Sequence, residues 1–548
     1  MSDDDLTPRA FVAASAAIAV AAFETSRAVD VARHGGRWWR GERHAATAGI
    51  EEVSIAELQN GLQSGAYTAR SLVEQYFARI DSMDQSGPAL NHIIERNPDA
   101  LRIADQKDTE RKSGKTPLGP LHGIPILIKD NIDTADRMHT SAGSLALATS
   151  TPLRDSWVAE RLRAAGAIIL GKTNLSEWAN FRSTHLSSGW SGRVGQGKNP
   201  DALDRNTSGS SSGSGGATAA SYCAAAIGSE TDGSITSPSA ACGLVGIKPT
   251  VGLIGRSGII PISHSQDTAG PMARSVHDAA LLLGALTGVD PRDAATSASA
   301  GKSYTDYTRF LNENGLRGAR IGVARDHYMG YSPKTDKLVE EAIDALKHAG
   351  AVIVDPANIA TAGKFDDAEL DVLLYEFKTD LNAYLTALGP SAPAKSLADL
   401  IHFNDENASR EMPYFGQELF EQAQKKGPLT ETKYTQARAK CVRLSRAEGI
   451  DAAMTKHRLD ALIAPTQGPV WKIDLVNGDS GGGGSFTQPA AVAGYPHITV
   501  PMGLVQGLPV GLSFVGRAWS EPTLLKLAYA YEQLSKARRA PTYASSLG

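Results

Sequence analysis

The chain has 548 residues, with 55 Lys and Arg against 59 Asp and Glu, a formal charge of −4. At 42% hydrophobic and 21% charged it has the composition of a globular protein with a large core, which excludes disorder as its dominant state. The near balance of charge leaves no basic footprint for nucleic acid. Three cysteines, Cys223, Cys242 and Cys441, cannot form a disulfide framework without one left over, and none sits in a CxxC pair. They read as small buried hydrophobes. The 13 histidines form no HExxH or comparable cluster, so neither a metal site nor a bound cofactor is expected.

Residues 1–50 read as a signal-like segment followed by a linker. Phe11 to Phe23 is apolar but shorter than the roughly 20 residues a membrane-spanning helix needs. It has the length of an export signal's hydrophobic stretch. The preceding Thr7-Pro8-Arg9-Ala10-Phe11-Val12 resembles a twin-arginine signal with Pro8 in place of one arginine. An exported, periplasmic protein is favoured by this segment, with a cytoplasmic one as the alternative. No stretch of the remaining chain predicts stable membrane insertion.

From Ser54 the periodicity predicts helices over Ile55 to Leu62 and Ser71 to Ile80. Gly123-Ile124-Pro125 then opens a buried strand, Ile126-Leu127-Ile128, with Lys129 at its tip. A helix (Trp157 to Ala165) and a strand (Ala167 to Leu170) follow. An apolar small-residue helix is expected over Ala217 to Ile227. Strands are predicted at Arg320 to Val323, Ala351 to Val354, Leu459 to Ala464 and Leu512 to Val515. Helices are predicted at Thr335 to His348, through most of 366–457, and from Pro522 to about Lys536. Helix and strand signals alternate, which argues an α/β fold over 51–548.

Two glycine motifs need separating. Gly166-Ala-Ile-Ile-Leu-Gly171-Lys172-Thr173 satisfies GxxxxGK[ST], but its four middle residues suit a buried strand and a helix leads into it. Such a run cannot wrap a phosphate with free N–H groups, so no nucleotide site is expected. Ser208 to Gly216 has linker composition, yet it runs directly into a close-packed apolar segment. The turn Gly228-Ser-Glu-Thr-Asp-Gly-Ser234 follows. Two serine-bearing turns and a strand-end lysine make a candidate nucleophile site.

Taken together, these segments resemble the amidase-signature family of serine hydrolases, from about Ser54 to Tyr543. The resemblance rests on Gly209-Ser210-Ser211, on Gly228 to Ser234 and on Cys242 to Thr250. It rests also on Gly123-Ile124-Pro125 with Lys129-Asp130, and on Gly171 to Glu177. Most members carry Gly where this chain has Ser212 and Asp232. The peptide amidase subgroup, which removes the C-terminal amide of peptides, looks the same at both positions. Asn174 to Phe181, Ser210 to Ser214, Glu230 to Ile235 and Gly258 to Ser275 also resemble that subgroup.

The resemblance implies a large central mixed β-sheet covered by helices on both faces, and a cofactor-free hydrolysis of carboxamides. It makes Ser234 the nucleophile, Ser210 the bridging serine after a cis peptide bond at Gly209, and Lys129 the base. The backbone N–H groups of Thr231, Asp232, Gly233 and Ser234 would form the oxyanion hole. The Asp232 side chain would order the turn or face the substrate. For Lys129 to act as a neutral base, its pKa must fall from about 10.4 to near 7, at a cost of roughly 4–5 kcal/mol. Burial at the strand tip, helped by cationic or dipolar neighbours, is the expected source.

The partner implied is a short-peptide or small-molecule amide. Anilides, carbamates and aliphatic amides are the alternatives, and a subunit delivering ammonia to a tRNA transamidation complex is a further one. The pocket is expected to be lined by the loop after Ala464, around Trp471, and by the helical region near Tyr375 and Phe377. A Ser-His-Asp hydrolase is the rival chemistry. Its Gly-x-Ser-x-Gly elbow occurs only inside the Gly/Ser run, and His264 and His497 read as loop residues rather than partners.

Overall fold

The computed structural model describes residues 49–114, 117–481 and 483–547. The export-like segment and most of the linker after it lie outside these residues. Among the described residues no helix is long and apolar enough to cross a membrane.

The described residues form thirteen strands, eleven of which share one sheet. In chain order they are β1 Ile93–Arg96, β2 Pro125–Lys129, β3 Ile168–Thr173, β4 Trp190–Ser191, β5 Gly195–Gln196, β6 Ala225–Glu230 and β7 Val245–Lys248. The rest are β8 Thr268–Ala273, β9 Arg320–Val323, β10 Val352–Val354, β11 Ala461–Pro465, β12 His497–Val505 and β13 Leu508–Val515. The sheet order is β1-β3-β2-β6-β8-β7-β12-β13-β11-β9-β10, with β4 and β5 paired apart. β2 runs parallel to both β3 and β6, whereas β8, β7, β12 and β13 join antiparallel. The sheet is therefore mixed and helices flank it, as the resemblance implies.

Burial explains the strand compositions. β2, β3 and β6 are buried at every residue, so apart from Lys129, Lys172 and Glu230 near their ends they carry continuous apolar or small side chains rather than an alternating pattern. The helices obey local rules. Ser54 and Thr68 each close a capping box at the start of Ile55–Ser64 and Ala69–Met83, and Ser332 followed by Pro333 starts Pro333–His348. The three cysteines are free and buried.

Two expectations are corrected. The run Ala217 to Ile227 is not one helix: Ser212–Ala219 is helical, and Ala225 onward is β6. Ala224-Ala-Ala-Ile has no polar face to distinguish a buried helix from a buried strand, and pairing with β2 and β8 decides for the strand. His497 lies not in a loop but at the start of β12, buried, with Nε2 2.6 Å from Ser513 Oγ. The phosphate-loop look-alike is β3. Lys172 is buried there, and its Nζ donates to the Ile132 carbonyl at 2.5 Å and to Thr140 Oγ1 at 2.8 Å.

Candidate active site

Because β2 and β6 are parallel neighbours, the tip of β2 and the end of β6 arrive on the same edge of the sheet. Lys129 closes β2 and is wholly buried. Its Nζ lies 2.8 Å from Ser210 Oγ, 3.0 Å from Ser229 Oγ and 3.2 Å from the Ser229 carbonyl. Asp130 takes no part. Its carboxylate accepts from Ser141 Oγ and from the Gly143 N–H, and it faces Arg193 at 3.8 Å.

Burial brings the Lys129 ammonium down from its usual range to about 7, against the opposing pull of Asp267 and Glu230. The cationic help expected from the sequence is absent: the charged neighbours are acidic, and desolvation drives the shift. A neutral amine has two N–H groups and a lone pair. It can donate to both Ser229 oxygens while accepting the Ser210 hydroxyl.

The peptide bond between Gly209 and Ser210 is cis. A Cβ at position 209 would stand 2.3 Å from Ser176 Oγ, so the close approach here requires glycine. Ser210 is wholly buried, and its carbonyl accepts from the Ser176 N–H at 3.0 Å. The two serine turns are fastened to each other. The Ser211 N–H donates to the Ser234 carbonyl at 3.0 Å, and Ser211 Oγ donates to the Ser229 carbonyl at 3.1 Å.

Ser234 follows Gly233, whose φ of 75° lies in the left-handed region that a tight turn needs. None of the N–H groups of Thr231, Asp232, Gly233 and Ser234 donates to a described residue, which leaves four successive donors unused in the turn that ends on Ser234. Glu230, just before the turn, accepts the N–H groups just after it, Ile235 at 2.7 Å and Thr236 at 2.9 Å, through one oxygen. Thr231 is gripped from the start of β8, where Asp267 Oδ1 accepts its hydroxyl at 2.6 Å and Gln266 Nε2 donates to its carbonyl at 3.3 Å.

Asp232 has one carboxylate oxygen buried without a partner. Burial raises its carboxyl to about 6, opposed by a hydrogen bond from Thr487. Burial and the nearby Asp232 likewise push Glu369 up to about 8, although Gln266 and Gln488 donate to it at 2.9 and 2.7 Å.

The three residues expected to line the pocket divide. Trp471 is linked to the Gly209 turn: its Nε1 donates to Asp479 at 2.8 Å, and Asp479 accepts the N–H of Ser188, whose Oγ would stand 3.1 Å from a Cβ at position 209. Tyr375 and Phe377 do not line it. Tyr375 is buried in a cluster with Tyr434 and Cys441, and Phe377 packs edge-on against Phe181 with ring centroids 5.0 Å apart. This helical aromatic pair is core rather than binding wall, which is the commoner use of such residues.

Sequence reasoning assigned no role to Ser229, Glu230, Gln266 or Asp267. The signal that could have found the last two is register. Glu230 pairs with Thr268 across β6 and β8, which sets Asp267 opposite Thr231. Among the described residues one cluster, His264, Glu376 and Asp380, has metal-ligand chemistry. Its atoms are already engaged: His264 Nδ1 meets Asp380 at 2.8 Å, and Glu376 accepts from Ser265 Oγ and Tyr434 at 2.6 and 2.7 Å.

Comparison with known proteins places the chain. The family model described as Amidase matches residues 71–525. The chain belongs to the amidase family. It is accordingly an amidase, a hydrolase of amide bonds, and the Ser-Ser-Lys combination is characteristic of that family. The chain is similar to the native peptide amidase from Stenotrophomonas maltophilia, with 50% identity and a TM-score of 0.87 over 90% of this chain and 99% of that one. It is 40% identical to an Arabidopsis thaliana protein named as a probable amidase, over 91% of this chain and 93% of that protein. It is 33% identical to one of the subunits of the glutamyl-tRNA(Gln) amidotransferase of Carboxydothermus hydrogenoformans, over 89% of this chain and 98% of that one.

Proposed function

We propose that this amidase hydrolyses the C-terminal amide of peptides, giving the free acid and ammonia through an acyl-enzyme on Ser234. The observation that carries the reading is the 2.8 Å contact between a buried lysine of lowered pKa and the serine after the cis bond, beside a turn with undonated N–H groups. The likeness to a peptide amidase supports the substrate class.

In this mechanism neutral Lys129 takes the Ser210 proton while Ser210 takes that of Ser234. Ser234 Oγ attacks the carbonyl carbon, and the negative oxygen that forms is held by the N–H groups of residues 231–234. In other hydrolases one such donor is worth about 2.7–4 kcal/mol. The proton then returns through Ser210 to the amide nitrogen, the C–N bond breaks, ammonia leaves and an ester remains on Ser234. Water, deprotonated by the same relay, cleaves the ester to release the acid and restore the serine.

The test is ammonia release from a short peptide amide by wild type and Ser234→Ala. Release by the wild type alone is expected. Release by both would remove Ser234 from the chemistry, and release by neither would move the substrate to an anilide, a carbamate or a small aliphatic amide.

The likeness to the amidotransferase favours a second reading, in which ammonia passes to a partner. It stands at lower identity than the peptide amidase likeness, and co-purification of a partner protein would be its sign.

A further inference from the structure

A cavity of about 560 Å³ opens between the helix Thr432–Ser445, the end of the helix Gln488–Ala493 and the segment at Trp519. None of Lys129, Ser210, Ser234 or the oxyanion turn lines it. Arg438, Arg446 and His264 do, and no carboxylate residue does. That charge pattern is unusual for this protein, whose other described arginines mostly meet an Asp or Glu.

Among the described residues Arg438 has neither a hydrogen-bond acceptor nor a carboxylate partner. Arg446 donates Nε to the Ala493 carbonyl at 2.8 Å, which caps that helix's C-terminal end and leaves both Nη groups without an acceptor. Its guanidinium lies over the Tyr495 ring, 5.7 Å from the centroid. Burial holds Arg446 below its usual range and the charge of Arg438 adds to this, with Tyr495 and Asp451 opposing. Lys302 lies 4.8 Å from the centroid of the Trp519 ring, one of the lining residues.

The carboxylates behind the lining already hold other partners, and Asp451 lines the adjoining cavity with both arginines rather than this one. Asp451 accepts from the Tyr495 hydroxyl at 2.9 Å and meets Arg517 at 3.4 Å, while Asp380 and Glu376 hold His264 and its loop. Two guanidinium groups sharing a half-buried cavity without a counter-ion repel each other. A planar or tetrahedral oxyanion removes that cost and can accept paired N–H bonds from each fork.

We propose that this cavity is a binding site for a small oxyanion, a carboxylate or a phosphate, gripped by Arg438 and Arg446 and resting against Tyr434, Tyr495 and Trp519. The proposal does not depend on the assignment of Ser234.

Thermal unfolding of the full chain tests it, in low-salt buffer titrated with sodium phosphate or sodium benzoate against sodium chloride at equal ionic strength. The expected result is a saturable rise in unfolding temperature with phosphate, benzoate or both beyond that with chloride, since a ligand of the folded state alone stabilises it. A rise with benzoate only would identify the ligand as a carboxylate, and a rise with phosphate only as a phosphate. In Arg438→Gln and Arg446→Gln the apparent affinity should fall by about tenfold or more. Arg438→Gln removes no hydrogen bond or ion pair among the described residues, so without added anion it should unfold no lower than wild type. In Ser234→Ala the rise should persist. No rise beyond chloride in the wild type, an equal rise in Arg438→Gln, or loss of the rise in Ser234→Ala would each overturn the site.

Discussion

At Lys129 a single side chain carries the pH dependence of the proposed chemistry. The ammonium is inactive as a base and the amine is active. With the pKa lowered to about 7 by burial, turnover should rise as pH increases through about 7 and then level off. An initial-rate profile from pH 5 to 9 checks this, and a flat profile across that range would exclude Lys129 as the titrating base. Lys129→Ala removes the base while leaving Ser210 and Ser234 in place. The rate should fall about 10²–10⁴-fold, with the remainder climbing toward alkaline pH as hydroxide takes over. A rate near wild type would mean that the relay starts elsewhere.

The elements around that lysine show what a sequence can and cannot disclose. Lys129 stands out in the sequence as a charge ending an apolar strand, and Ser210 and Ser234 as serines directly after glycines, since glycine at 209 and 233 reports backbone demands that survive in one dimension. Tyr375 and Phe377 mislead because a helical aromatic serves core and pocket alike, and only the partners across the gap decide. The run before β6 misleads because alanine in a fully buried segment has no periodicity to read. Glu230 is hidden for a further reason: its work is done by hydrogen bonds to residues five and six positions on, closing the nucleophile turn upon itself. Glu230→Gln keeps an oxygen for the Ile235 and Thr236 N–H groups but removes the charge that raises Lys129. The acid limb of the rate profile should therefore move to lower pH with the plateau nearly unchanged. Glu230→Ala should instead lose stability by about 1.5–3 kcal/mol, the worth of charged hydrogen bonds, as measured by urea unfolding. An unmoved acid limb in Glu230→Gln would show that this carboxylate does not act on Lys129.

Across the whole molecule, the helical region 366–457 is joined to the active edge of the sheet by buried polar links as well as by packing. Glu376 holds the loop carrying Gln266 and Asp267, and Tyr384 donates to Asp133 at 2.8 Å. Arg182 is a third such link. It is 1% exposed, lies 3.1 Å from Glu177, donates to the Glu411 carbonyl at 2.6 Å and stacks over Phe415 at 4.4 Å. Glu411 in turn accepts the Leu145 N–H at 3.1 Å, and Glu177 accepts the Gly192 N–H at 2.7 Å. Arg182→Met keeps most of the side-chain volume but leaves two buried carboxyls without their cation. Removing one partner of a buried pair costs about 3–5 kcal/mol, even where the intact pair adds little beyond what apolar residues would give. Urea unfolding should show a loss of that size. The folded fraction should keep its pH–rate profile, because Arg182 touches neither Lys129 nor the serine turns. A double variant, Arg182→Met with Glu177→Gln, should recover part of the loss, since it removes the carboxyl that the single change strands. If the single variant were as stable as wild type, the Arg182 link would add nothing to the apolar contacts around it, among them Phe181 against Phe377 and Trp178 against Phe420.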